Sequence, residues 1–393
     1  MENKLQKLHL RLCSCAVFYG VLKNPVFAFF QDYCQAQNET QKMQSYAAFT
    51  GCVYQKGGNL TKLVQELVFN DENVYIKGAA QKETLNEHIQ ASALRELEIF
   101  SCFAGLTPAD FAADMGVKEE EIAAFDSFTT DMVTAYTQRL SQLGKYGYGI
   151  FSSCCMFRLS DERAIEPIVS ADKTTVAQFI GYENERARVI ANTHAFLEGR
   201  PAANVLLCGD AGTGKSSTVK AIANEFFNEG LRLIELRKDQ LRFLPLVMGK
   251  ISGNPLKFII FIDDLSFNKN NDDFSMLKAA LEGSASAMAD NAVIYATSNR
   301  RHIVKESFGD REGDDVHVND TLQETLSLSE RFGLTVLFSR PDKKLYLQIV
   351  HELAKRYGIS LEEKELDVQA EAFALKKGSR SARGAEQFIN SLR

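Results

Sequence analysis

The apolar run Asn204-Val205-Leu206-Leu207-Cys208 leads without a break into Gly209-Asp210-Ala211-Gly212-Thr213-Gly214-Lys215-Ser216. That octapeptide matches G-x-x-x-x-G-K-[ST] at every position. It constrains the fold more than any other stretch, because each residue type answers a backbone or charge requirement. The preceding run is short and apolar, as a buried strand is. Glycines accept backbone angles that turn successive N–H groups into one concavity, and the N-terminus of a following helix adds positive potential there. Val219, Ile222, Ala223 and Phe226 recur on one face beyond the loop, so that helix is predicted as well. Such a loop takes phosphate. Lys215 would contact the β- and γ-phosphates of a nucleotide, and the Ser216 hydroxyl would ligand Mg²⁺.

Further on, Phe258-Ile259-Ile260-Phe261-Ile262 is wholly apolar and ends in Asp263-Asp264. A central parallel strand reads this way. One carboxylate at its end can hold Mg²⁺ and its neighbour can polarise a water. After a helix expected near 275–286, Ala292-Val293-Ile294-Tyr295-Ala296-Thr297-Ser298-Asn299 is another strand ending in polar side chains, with Asn299 placed to orient water. Arg300-Arg301-His302 follows and reads as solvated charge. Short aliphatic runs alternating with amphipathic segments predict a parallel α/β sheet from about residue 180, and the last fifty or so residues return to helices. Tyr346, Val350, Leu353 and Tyr357 mark one apolar face there; Ala385, Phe388, Ile389 and Leu392 mark another.

At 393 residues the chain outgrows a single core, so two or three domains are expected. A net charge of -6 gives no global reason to seek nucleic acid or anionic membrane. The eight cysteines form no C-x-x-C pair, which argues against zinc and suits a reducing cytosol. Lys4, Lys7 and Arg11 before the apolar run 13–22 resemble a secretion signal superficially, but Lys23 and Pro25 interrupt it. An amphipathic helix fits better. No stretch reaches the roughly 18 to 20 uninterrupted apolar residues that cross a bilayer. A cytoplasmic protein without membrane insertion is the expectation.

Residues 1–160 read as mostly helical, with Leu94, Leu97, Phe100 and Phe103 at helical spacing and a turn at Gly57-Gly58-Asn59. They hold no catalytic constellation. The segment from Leu106 through Met115-Gly116-Val117 to Ile122 has the spacing of a helix-turn-helix. Its second helix would open on Lys118-Glu119-Glu120-Glu121, which sets carboxylates against phosphates. An ordinary helical hairpin is preferred. The polar stretch 161–178 reads as a linker.

The order of phosphate loop, acidic strand, strand ending in Asn, Arg-bearing turn and Arg-bearing helix resembles the AAA+ ATPase superfamily over roughly 180–393. Asn192-Thr193, Gly214-Lys215-Ser216-Ser217, the tract 296–302 and Leu328-Ser329-Glu330-Arg331-Phe332-Gly333 look especially like a bacterial AAA+ family of unknown function. The resemblance implies a five-stranded parallel core over 179–338 and a helical lid over 339–393. It places Ile180 and Tyr182 beside the adenine of ATP or ADP, Gly209 through Ser217 around the phosphates, and Ser216 and Asp263 on Mg²⁺. It makes Asp264 the catalytic base, Asn299 a sensor, Arg331 an arginine finger toward a neighbouring subunit, and Arg383 a second sensor in the lid. Cations in the first turn of a helix oppose its dipole, so Arg380 and Arg383 sit where an anion would offset a cost. Two departures stand out. Many relatives have Glu where Asp264 stands, and the stretch 234–244 lacks the glycine of a pore loop, which argues against polypeptide threading.

The leading expectation is an oligomeric ATPase whose lid movement acts on an unknown partner. A nucleotide-gated adaptor recruiting protein through 1–160 is the second. A DNA-associated loader is third and not favoured. A GTPase is weaker, because Asn268-Lys269-Asn270-Asn271 lacks the aspartate of a guanine-reading N-K-x-D.

Overall fold

The computed structural model describes residues 4–170, 173–265, 289–299 and 331–393. The chain divides into two compact units, Met1–Ser153 and Cys154–Arg393. The first is built from α1 (Lys4–Leu12), α2 (Pro25–Gln35), α3 (Glu39–Gln55), α4 (Leu60–Asn70), α5 (Val74–Ala80), α6 (Glu87–Ala104), α7 (Pro108–Met115), α8 (Met132–Leu140) and α9 (Leu143–Tyr146). Five successive helices, α2 to α6, start on an asparagine whose side chain accepts a first-turn N–H. Each cap satisfies a donor that the helix itself cannot. Phe27, Phe30, Phe49, Phe103 and Phe111 pack ring on ring in the core.

Two expectations fail in this unit. The run 13–22 is not a helix; α1 lies ahead of it. Fully buried Glu96 accepts the amides of Ala16 (2.9 Å), Val17 (3.0 Å) and Phe18 (2.9 Å) instead, which holds those residues in turns. The preferred helical hairpin over 106–122 also fails, and the helix-turn-helix with it. Gly116 ends α7 in the left-handed region at φ 70°, but beyond it Glu119–Glu121 make a single 3₁₀ turn. Three consecutive glutamates offer no apolar face to pack, and Glu121 is used up in capping the Lys118 amide (2.9 Å).

The second unit holds β1 (Met156–Leu159), β2 (Ile165–Pro167), α10 (Glu183–Leu197), β3 (Val205–Gly209), α11 (Lys215–Glu225), β4 (Leu231–Leu236), α12 (Leu244–Ile251), β5 (Lys257–Ile262), β6 (Ala292–Ser298) and β7 (Leu334–Phe338), then α13 (Lys343–Tyr357), α14 (Glu363–Lys376) and α15 (Ala382–Ser391). The strands form one sheet in the order β2-β1-β4-β5-β6-β3-β7, parallel except for the β1–β2 pair. The five expected strands are β3 to β7. The sheet has seven because β1 pairs in parallel with β4 and carries β2 on its outer edge.

The expected boundary near 160 and linker over 161–178 therefore need correcting. Residues 154–170 contribute sheet, and Val176–Gln178 form a 3₁₀ turn. The four residues of β1, with Met156, Phe157 and Leu159 buried, were too short a signal beside the polar run that follows. The helices α13 to α15 share a core of their own that includes Tyr346, Val350, Ala370, Phe388 and Ile389. No helix among the described residues is long and apolar enough to cross a membrane.

Candidate nucleotide site

The parallel register decides what meets at the sheet's C-terminal edge. β6 runs between β3 and β5, with Cys208 opposite Ser298 and Ile262 opposite Ala296. The residues following all three strands thus emerge side by side. Gly209 closes β3 at φ +134°, with its Cα so near β7 that an added Cβ would lie 2.0 Å from the Phe338 carbonyl oxygen. Gly212 and Gly214 take φ +76° and +90°, and Lys215 opens α11. The first N–H groups of a helix have no acceptor within it, so the loop presents donors as well as a dipole.

Lys215 is 5% exposed. Its ammonium donates to the carbonyls of Gly209 (3.0 Å) and Asp210 (2.7 Å) and to Asn299 Oδ1 (2.9 Å). Burial pushes its pKa below the ordinary lysine value, opposed by the charges of Asp210, Asp263 and Asp264. Asn299 passes the contact on, its Nδ2 donating to Asp264 Oδ1 (2.8 Å). Asp264 is one of four described non-glycine residues with positive φ, at 51°. Its amide donates to Thr297 Oγ1 (2.9 Å), which holds the strained turn.

A second chain runs beside the first. Ser216 Oγ and Thr297 Oγ1 both donate to Asp263 Oδ1, each at 2.6 Å. A hydroxyl and a carboxylate oxygen so close together are the hard oxygen donors that Mg²⁺ takes, so the residues fit that ion. Sequence reasoning passed over Thr297. Its signal was present, a hydroxyl two residues before Asn299 on the same strand face.

Asn192 and Thr193, which carry part of the resemblance, work structurally: both bond the buried Tyr295 hydroxyl (3.1 and 2.7 Å) and so tie α10 to β6.

A cavity of about 440 Å³ opens beside the loop. Gly212, Thr213, Gly214 and Ser217 line it, together with Phe179, Ile180, Ile349 and Leu353. Ile180, which the resemblance sets beside the adenine, is part of the cavity wall. Tyr182 does not line the cavity: it is 7% exposed, packs on Phe338 and donates its hydroxyl to the Ser339 carbonyl (2.6 Å). Burial raises that phenol to about 12. Phe179 takes the place in the wall.

Arg383 also lines the cavity, and its amide donates to the Gly212 carbonyl (3.2 Å). Arg380 is not among the residues lining the cavity. It lies ahead of α15 and makes a two-pronged pair with Glu371 (2.9 and 2.7 Å), so its charge is already matched. Asp210 stands within 3.9 Å of Arg340, and Ala211 is exposed at the loop's tip. Arg331 is partly buried, three residues before β7, and is not among the residues lining the cavity. Arg300, Arg301, His302, the helix expected near 275–286 and the tract 268–271 lie outside the described residues.

A phosphate loop between a central strand and its helix, an acidic strand one place removed, and a polar-ended strand inserted between them define a P-loop nucleotide-binding core of the AAA+ type with a helical appendage. The chain belongs to the family described as "Protein of unknown function (DUF815)", whose model matches residues 152–393, more than half of it. No curated protein matches. Among solved structures the chain is similar to the Holliday junction branch migration motor RuvB of Thermotoga maritima, at 14% identity over 56% of this chain and 72% of that one, TM-score 0.34. It is also similar to AMPPCP-bound DnaA from Aquifex aeolicus, at 18% identity over 57% and 66%, TM-score 0.38. Both likenesses are distant, and nothing about substrate or partner follows from them.

Proposed function

We propose that residues 152–393 bind ATP with Mg²⁺ and hydrolyse it to ADP and phosphate. The observation that carries this reading is the linked pair of chains, Lys215–Asn299–Asp264 and Ser216–Asp263–Thr297, at the mouth of the phosphate loop. The loop amides and Lys215 would hold the β- and γ-phosphates. A magnesium ion on Ser216 and Asp263 would offset phosphate charge. Asn299 and Asp264 would orient a water against the γ-phosphorus. Asp264 takes the water's proton as the bond to the β–γ bridging oxygen breaks, leaving ADP and phosphate. Arg331 lies outside the cavity of its own chain, and by the resemblance it would complete the site of a second copy. Activity would then depend on assembly.

The test is ATP hydrolysis against protein concentration for wild type, Asp264→Asn and Arg331→Ala, with binding measured separately by calorimetry. Specific activity rising with concentration in wild type and flat in Arg331→Ala supports a shared site, whereas tight binding without turnover at any concentration sinks hydrolysis and leaves a nucleotide-gated adaptor.

A further inference from the structure

We infer that Arg186 and Arg356 form a clamp that positions the strap 178–181 as the base-recognising wall of the nucleotide cavity. The inference rests on the ATP-binding reading above. Arg186, on α10, is 4% exposed. Its guanidinium donates to the Gly181 carbonyl and lies 5.2 Å from the centroid of the Phe179 ring. Arg356, on α13, donates to the Gln178 carbonyl (2.9 Å). Among the described residues neither forms an ion pair with a carboxylate. Burying a guanidinium without an ion pair is costly, and burial lowers the Arg186 pKa, opposed by the nearby charges of Glu183 and Glu185. A fold that keeps Arg186 there gains something by it.

What it gains is a fixed strap. Gly181 (φ +72°) and Tyr182 (φ +58°) are successive left-handed residues, a conformation that Tyr182 adopts only under constraint. An added Cβ on Gly181 would sit 2.5 Å from Leu345 Cδ1, so α13 closes on the strap as well. The clamps take the carbonyls at both ends, and the Phe179 amide bonds the Val176 carbonyl (3.2 Å). Ile180, itself in the cavity wall, keeps its amide and carbonyl without a partner among the described residues. A fixed amide–carbonyl pair matches adenine, which presents an amino donor beside a ring-nitrogen acceptor. Guanine presents the reverse, a carbonyl beside an N–H. Arg186 and Arg356 line the cavity themselves, and the role assigned to them here is to position Ile180.

The test is calorimetric binding of ATP, GTP and tripolyphosphate to the full chain. Arg356→Ala, at an exposed position, and Arg186→Ala should each weaken ATP by about tenfold, the size of one lost charge-assisted hydrogen bond. Arg186→Lys should recover part of that loss. Tripolyphosphate, which lacks a base, should bind all variants equally, and the preference for ATP over GTP should narrow. If ATP and tripolyphosphate weaken together, or ATP is unaffected in Arg356→Ala, the clamp is overturned. Wild type that binds tripolyphosphate yet does not distinguish ATP from GTP overturns the clamp and leaves the phosphate site standing. Wild type that binds none of the three overturns the nucleotide reading with it.

Discussion

Lys215 is held by two carbonyls and an amide oxygen, none of which carries a full negative charge. Burial therefore lowers its pKa, and nucleotide phosphate should raise it again. On the alkaline side, below the ordinary lysine value of 10.5, ATP binding should take up protons, seen as a dependence of the binding enthalpy on the buffer's ionisation. The stability sign is the reverse of an ion-paired lysine. The penalty is fully present below the lowered pKa and fades as pH rises toward 10.5, so stability of the free protein should climb over that window. At Asp264, the change to Asn keeps the bond from Asn299 geometrically available but removes the base. Turnover should fall by about 10² to 10⁴ with ATP affinity retained. Thr297→Val loses the hydroxyl that donates to Asp263 and accepts the Asp264 amide. It should cost about 2 kcal/mol in urea unfolding, two ordinary hydrogen bonds.

The elements carry the loop's shape. Gly209 joins β3 to the loop where β7 leaves no room for a methyl group, and its φ of +134° is closed to other residues. Gly209→Ala should destabilise by on the order of 3 kcal/mol, strain and overlap together, measured as a lowered urea midpoint. On the other side of the loop, α15 starts at Ser381, whose hydroxyl accepts the Gly384 amide (3.0 Å). That cap fixes the turn from which Arg383 meets Gly212. Ser381→Ala should cost about 1 kcal/mol and weaken ATP more than it weakens the fold. Equal losses would show that the cap serves stability without placing Arg383.

At the scale of the whole molecule, the position of β1 makes a clear difference between two fragments. One beginning at Cys154 keeps Met156, Phe157 and Leu159, all at most 2% exposed, paired beside β4. One beginning at residue 161 loses them and leaves β4 as an edge. The shorter fragment should be less stable by on the order of 5 kcal/mol, read from thermal or urea melts, because three large apolar side chains leave the core. Equal melting would mean that β1 adds nothing to the sheet.

Much of the site was legible because its chemistry is local. Gly209 through Ser216 are adjacent in sequence, and the glycines, lysine and hydroxyl are each demanded by backbone angle or charge within a few residues. Asp263 and Asn299 were readable because each ends a run too apolar to be anything but a buried strand. What the chain order could not express was proximity across elements. That β6 lies between β3 and β5, so that Thr297 serves Asp263 and Asn299 reaches both Lys215 and Asp264, follows from strand order, and strand order is set by which apolar faces pack together. The same holds for Arg380, ahead of α15, whose partner Glu371 lies on α14. It holds for Tyr182, turned into the core, and for the arginines that grip 178–181 from α10 and α13. Sequence determined the phosphate loop and the strands that frame it, since local backbone and burial requirements suffice for those. Tertiary packing decided the neighbours, because hydrogen bonds between distant residues exist only once the core has brought their elements together.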